Sequence, residues 1–301
     1  MTVLKVIAGL ALVFAALHDM FHSLFHPSGR GAIAEFISFR LWRLWRKLFP
    51  ARHNWLTLAG PLAFVATVIT WTAMIVAGWA LVYSPFLLSK FVMVQGLDIS
   101  QHHSYFDAIN VSLGSLITVA GDFNTTSRWL RFGMGLEAVM GFVLLSASLS
   151  WVLSIYPILE YRRSASHRLF LLHRARESAG ISLQSIPERE TEQLVIALAT
   201  DLTKIRNDLA QFPITYYFHE KDKLSAFPSA LALAFNIADR AAEHGDGVPI
   251  QIAGIVLQQA IHDFLCLVSK WFLNMPDEED DRKLMHAFAQ DHFFQELHSA
   301  S

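Results

Sequence analysis

The stretch Tyr105–Tyr156, YFDAINVSLGSLITVAGDFNTTSRWLRFGMGLEAVMGFVLLSASLSWVLSIY, decides how the rest of the chain is read. Its first part, Phe106–Thr118, is a short amphipathic segment with Asp107 near its start, where an acid suits the positive end of a helix dipole. It is too short to cross a bilayer, which takes about 20 apolar residues. The run Thr118-Val119-Ala120-Gly121-Asp122 is small and polar, and a long apolar helix, Phe132–Tyr156, follows with Glu137 as its one carboxylate. A half-helix, a loop and a full-length helix make a re-entrant plan. Irregular backbone at membrane depth is tolerated only where it is buried in protein or lines a water-filled cavity. In a cation pore the carbonyls of such a loop replace the ion's hydration shell.

Working outward, the composition fits a membrane protein. Of 301 residues, 53% are hydrophobic and only 17% charged, and the apolar excess lies in the first 160 or so. The net charge of −2 gives no basic field, so nucleic acid is not expected as a partner. The single cysteine, Cys266, excludes an intrachain disulfide and multi-cysteine metal sites, and its apolar surroundings predict a buried small hydrophobe. No glycine-rich nucleotide fingerprint, EF-hand spacing or HExxH signature occurs, and no enzyme is expected.

Before the central stretch, Val3–Phe25 is long enough to span a bilayer. A signal peptide built on Lys5 is the alternative, but no small-x-small cleavage site follows. His18, His22 and His26 share one face at four-residue spacing, with Asp19 beside His22. They read either as a metal or proton-relay site or as polar groups marking the helix end at headgroup depth, hydrogen-bonded to a neighbouring helix. Residues 32–53 interleave Phe36, Phe39, Trp42, Trp45 and Phe49 with Arg40, Arg43, Arg46, Lys47 and Arg52, a pattern expected of a helix lying on lipid. Trp55–Tyr83 carries no charge and is the clearest span. Residues 84–103 read as a loop holding Asp98, His102 and His103. On the inner helix, Ser146, Ser150 and Ser154 form a stripe that suits either a wet pore wall or small-residue helix packing. Glu137 is expected to act as a structural clamp behind the loop.

Beyond about residue 160 the chain reads as a soluble helical domain, punctuated at Pro213, Pro228, Gly245-Asp246-Gly247, Pro249 and Pro276. Tyr216-Tyr217-Phe218-His219 fits core packing, and the acidic run Asp277–Asp281 fits a solvated loop. The expected division is 1–53 for the N-terminal span and interfacial helix, 54–160 for the pore-loop module and 161–301 for a helical cytoplasmic domain. The Arg-rich segments 30–53 and 162–176 flank a connection, 84–127, whose basic residue near its start is Lys90. By the positive-inside rule the N-terminus is outside and the C-terminal domain cytoplasmic.

The central stretch resembles the pore module of bacterial potassium-channel-like membrane proteins, whose filter reads T-V-G-[YF]-G-D and whose inner helix opens with an arginine, a Glu and a Gly four residues later. Arg131, Glu137 and Gly141 match the helix pattern. The filter departs from it: Thr118-Val119-Ala120-Gly121-Asp122 lacks one of the glycines under either alignment. Glycine permits the positive φ that such a filter needs and alanine resists it. The resemblance implies an all-α pore-loop channel in the cell inner membrane. It would be a homotetramer, since one chain supplies one loop, passing potassium with relaxed selectivity that extends to sodium, without a bound cofactor. The inner helix would gate around Gly141. The alternative is a non-conducting, channel-derived scaffold or sensor that works through the C-terminal helices, whose ligand or partner the sequence does not name. A membrane enzyme is a third reading, resting on the His18, Asp19 and His22 cluster alone.

Overall fold

The computed structural model describes residues 1–26, 30–49, 53–93, 104–119, 123–180, 187–222, 226–245, 247–276 and 280–294. The order is α1 (Thr2–Leu24), α2 (Ala32–Leu48), α3 (His53–Leu56), α4 (Ala59–Tyr83), α5 (Leu87–Lys90), β1 (Phe91–Met93), α6 (Tyr105–Leu116), β2 (Phe123–Thr125), α7 (Arg128–Ala179), α8 (Glu188–Gln211), α9 (Phe227–His244), α10 (Val248–Val268) and α11 (Asp281–Asp291). The molecule is thus mostly helical, with several helices apolar enough for a membrane protein. One short antiparallel pair interrupts the helices, with Phe91 opposite Thr125 and Met93 opposite Phe123. The sequence reading placed a plain loop at β1; three residues are too few to show an alternating pattern.

Among the described residues four helices have the length and apolarity to cross a membrane: Thr2–Leu24, Ala59–Lys90, Arg128–Ala179 and Val248–Leu273. The last was not expected as a span. Its Ile250, Ala253, Leu257, Ile261, Phe264 and Leu265 are buried, and it packs on α8 and α9. Apolarity therefore serves a protein core there.

The chain divides into two compact units, Met1–Ile37 with Phe64–Ser154, and Ser38–Ala63 with Ile155–Ser301. In the first, α1 meets α4 at a glycine pair: a Cβ on Gly9 would lie 2.4 Å from the Gly78 carbonyl oxygen. Small residues let the two backbones come this close. Trp71 is fully buried and stacks on Trp151 at 5.7 Å.

Asp19 organises the same unit. Its carboxylate accepts from the backbone N–H of Ile33 at 2.7 Å, of Ala34 at 3.1 Å and from Trp71 Nε1 at 2.9 Å. The first two donors are orphan N–H groups in the opening turn of α2, so an acid on α1 caps the next helix at a distance.

The second unit is built on α8, α9 and α10, with Val195, Ala199, Leu202 and Leu209 facing inward from α8. Its division crosses the expected boundary at residue 53, because Ser38–Ala63 belongs with the C-terminal helices. Trp42 is 3% exposed and donates to Asp291 Oδ2 at 3.0 Å, while Arg46 pairs with Asp291 Oδ1. Gly60 packs on the Phe218 ring. Thus Trp42 and Arg46 of the interfacial helix face protein, and Phe36, Leu44 and Leu48 remain exposed on it. An amphipathic helix presents the same pattern to lipid and to a neighbouring domain.

Candidate functional site

The site lies in the first unit where α4, α6 and α7 meet. The start of α6 is fixed by a capping box: the Ser104 hydroxyl accepts from the Asp107 N–H at 3.4 Å, and the Asp107 carboxylate accepts from the Ser104 N–H at 2.9 Å. Its Ala108, Val111, Ser112 and Leu116 are buried, whereas Phe106 and Ile117 stand exposed. The helix extends from Tyr105 to Leu116, against the sequence estimate of 106–118.

Its end is a paired hydrogen-bond turn. The Thr118 N–H donates to the Ser115 carbonyl at 3.2 Å and the Val119 N–H to the Gly114 carbonyl at 3.0 Å. This pairing needs a left-handed residue, and Thr118 supplies it at φ +56°. Glycine or asparagine is usual there, and a β-branched residue costs about 1–2 kcal/mol in that conformation. The strain sits on the first residue of the proposed loop. Val119 is exposed; Ala120, Gly121 and Asp122 lie outside the described residues.

Glu137, fully buried on α7, ties the three helices together. Its Oε2 accepts from the Tyr83 hydroxyl of α4 at 2.8 Å, and its Oε1 accepts from the Ser112 hydroxyl of α6. Both partners are neutral hydroxyls. Glu137 thus joins two donors that were not legible in the sequence: Tyr83 and Ser112 lie 54 and 25 residues away along the chain. One turn further along α7, a Cβ on Gly141 would fall 2.1 Å from the Leu116 carbonyl oxygen. Gly141 is thus a close-approach glycine beside the end of α6.

The chain comes back nearer the start of α7. Arg131 donates from Nη2 to the Thr125 carbonyl at 3.1 Å, and the Thr126 N–H donates to the Lys90 carbonyl at 2.9 Å. Leu116 therefore lies beside Gly141 while Thr125 lies beside Arg131, ten residues or about 15 Å of helix rise nearer the start of α7. Ser146 and Ser150 are exposed further down α7, and the Ser154 hydroxyl donates to the Ser150 carbonyl at 2.9 Å.

The remaining predicted positions fall elsewhere. His18 and His22 share one face of α1 with ring centroids 4.4 Å apart, and His26, just past its end, lies 5.0 Å from His22. Asp19 points away from them to α2 and Trp71. No group of three His, Cys, Asp or Glu side chains that could hold a metal ion forms among the described residues. Asp98, His102 and His103 lie outside the described residues.

The second unit holds a cleft of about 460 Å³, counted to its open mouth and lined by aromatic rings with Arg162, Glu220 and His292. Arg162 donates to the carbonyls of Thr215 and Phe218 at 3.0 and 2.8 Å and pairs with Glu220 at 2.8 Å. His292 packs against Trp42, Tyr216 and Phe288. Its burial, reinforced by Arg162 and Arg46, pushes the imidazole from 6.5 down to about 3. In the unfolded chain this ring titrates near 6.5, so the unfolded state binds the proton more readily between pH 6.5 and 3. Its stability contribution is complete above pH 6.5 and declines as the pH falls through that window. Lowering the pH to 5 should cost the second unit about 2 kcal/mol. Denaturation midpoints at pH 7 and pH 5 check this, and His292→Phe should remove that part of the difference. An undiminished difference in the variant would place the acid sensitivity on another group.

The fold and this junction define the class: a mostly helical membrane protein whose apolar helices bury a carboxylate between hydroxyl donors. The chain is similar to the "Uncharacterized membrane protein YdjJ" of Bacillus subtilis (strain 168), with 25% identity over 218 residues, or 71% of this chain and 62% of that protein. It thus spans less than two thirds of that relative's length. No family model matches the chain. No solved structure matches it.

Proposed function

We propose that four copies of the chain surround a pore in the cell inner membrane and conduct monovalent cations, potassium-like and with relaxed selectivity, through residues 117–122. The observation that carries this reading is the placement of α6, which ends beside Gly141 while the following strand lies back beside Arg131. A segment that enters and leaves at one end of a spanning helix is what a re-entrant loop requires. The carbonyl end of α6, with its negative dipole, would then face the ion path. Carbonyls from Thr118 to Gly121 would contact the ion, Asp122 would stand at or behind the filter's outer mouth, and Ser146 and Ser150 would wet the inner wall.

Further support comes from the exposed apolar side chains of α6 and α7, including Phe106, Ile117, Phe142, Leu145 and Leu149, which suit lipid or neighbouring copies. In this arrangement α1, α4 and the first half of α7 are the spans, with the N-terminus outside and the second unit in the cytoplasm. The scaffold or sensor reading is favoured by one feature, Ala120 where the related filters carry glycine. Selectivity separates the two. Ala120→Gly should raise the potassium-to-sodium permeability ratio of reconstituted protein, measured by reversal potential. An unchanged ratio in a conducting protein would reject this alignment of the filter.

A further inference from the structure

On the second unit, α7 and α9 face each other across a pocket of about 360 Å³, counted to its open mouth and lined by His173, Arg176, Leu233, Asn236, Ile237 and Arg240. The guanidiniums of Arg176 and Arg240 are near enough to repel one another. Neither has an ion-pair partner among the described residues. The nearby carboxylate, Glu177, binds His173 Nε2 at 3.2 Å. Arg176 Nε is buried and has no hydrogen-bond partner. Among the described residues, two like charges and a buried donor without a hydrogen-bond partner thus share one pocket.

The geometry points to this pocket as a binding site for a phosphate-bearing ligand. Guanidinium groups present paired N–H donors that match phosphate oxygens two at a time. Asn236 of α9 adds an amide donor and His173 of α7 a ring to the lining, while Leu233 and Ile237 add apolar surface for the rest of a small molecule. A soluble phosphate compound and a phosphate headgroup share this chemistry. Arg176 lies about 30 Å of helix rise past Tyr156, where the apolar run of α7 ends, which favours the soluble source.

The test uses the full chain in phosphatidylcholine nanodiscs, titrated calorimetrically with pyrophosphate at fixed ionic strength. One saturable site per chain is expected. Arg176→Gln and Arg240→Gln should each weaken it roughly tenfold or more, and the lysine variants less, since they keep charge but lose the fork. Without pyrophosphate the glutamine variants should melt at or above the wild-type temperature, because a repulsion has been removed. This separates lost binding from lost folding. Discs containing phosphatidic acid identify the source: an unchanged affinity assigns a soluble ligand, and a competitive loss beyond that seen with phosphatidylserine discs assigns a headgroup. No saturable binding, or binding that survives both glutamine variants, would overturn the site.

Discussion

Gly141→Ala should prevent α6 from seating against α7 and should sharply reduce the amount of folded protein recovered. The added methyl would stand 2.1 Å from the Leu116 carbonyl oxygen and 3.0 Å from its carbon, and backbone cannot rotate out of the way as a side-chain tip can. Overpacking of a tight contact costs about 1–3 kcal/mol, and a clash with backbone belongs at the upper end or beyond. The same helix provides a matched control. A Cβ on Gly135 would meet nothing within 4 Å, so Gly135→Ala should be neutral or stabilise by about 0.5–1 kcal/mol through helix propensity. Comparing thermal melts of the two variants in one detergent isolates the contact. Equal melting temperatures would show that Gly141 does not support the end of α6.

Asp19→Ala should be as damaging at the opposite corner of that unit. The substitution removes the acceptor for two backbone N–H groups and for the Trp71 indole, and Asp19 and Trp71 are buried. Hydrogen bonds to a charged acceptor are worth about 1.5–3 kcal/mol each, and buried donors left without one carry their desolvation cost. Several kcal/mol are at stake, a large part of the total stability of an ordinary domain. Asp19→Asn keeps one acceptor oxygen and should fall between. Retention of the wild-type melting temperature in Asp19→Ala would mean that α2 is not held by this carboxylate.

These two positions also show what the sequence could and could not reveal. Long apolar runs announced α1, α4 and the first half of α7, because about 20 apolar residues have few other uses. The short helix α6 was legible from its length and from Asp107, one half of its capping box. Glu137 stood out as the one carboxylate in an apolar helix. Its donors were invisible because they come from other helices. Asp19 fits the reading of a polar group hydrogen-bonded to neighbouring helices, but which groups it binds was hidden for the same reason: they start 14 residues on. The helix at 32–48 was recognised as amphipathic and assigned to lipid, whereas Trp42 and Arg46 close on Asp291, 249 and 245 residues away. Periodicity tells which face of a helix is buried, never against what. In α10 the apolar content alone meets the standard of a span, and its packing partners α8 and α9 give it a different use.

The central claim is that the loop after α6 carries ions, and the most direct test is cation flux through the purified chain in liposomes. Potassium, sodium and a large impermeant cation would be compared for the native chain and for a variant with the Thr118–Gly121 loop replaced by a serine-rich segment. Potassium flux, with measurable sodium flux, is expected from the native chain and should disappear when the loop is replaced while the four-copy assembly persists. Cation flux that continues undiminished through the loop-replaced assembly, or an intact native assembly that passes no cation at any voltage, would contradict the claim.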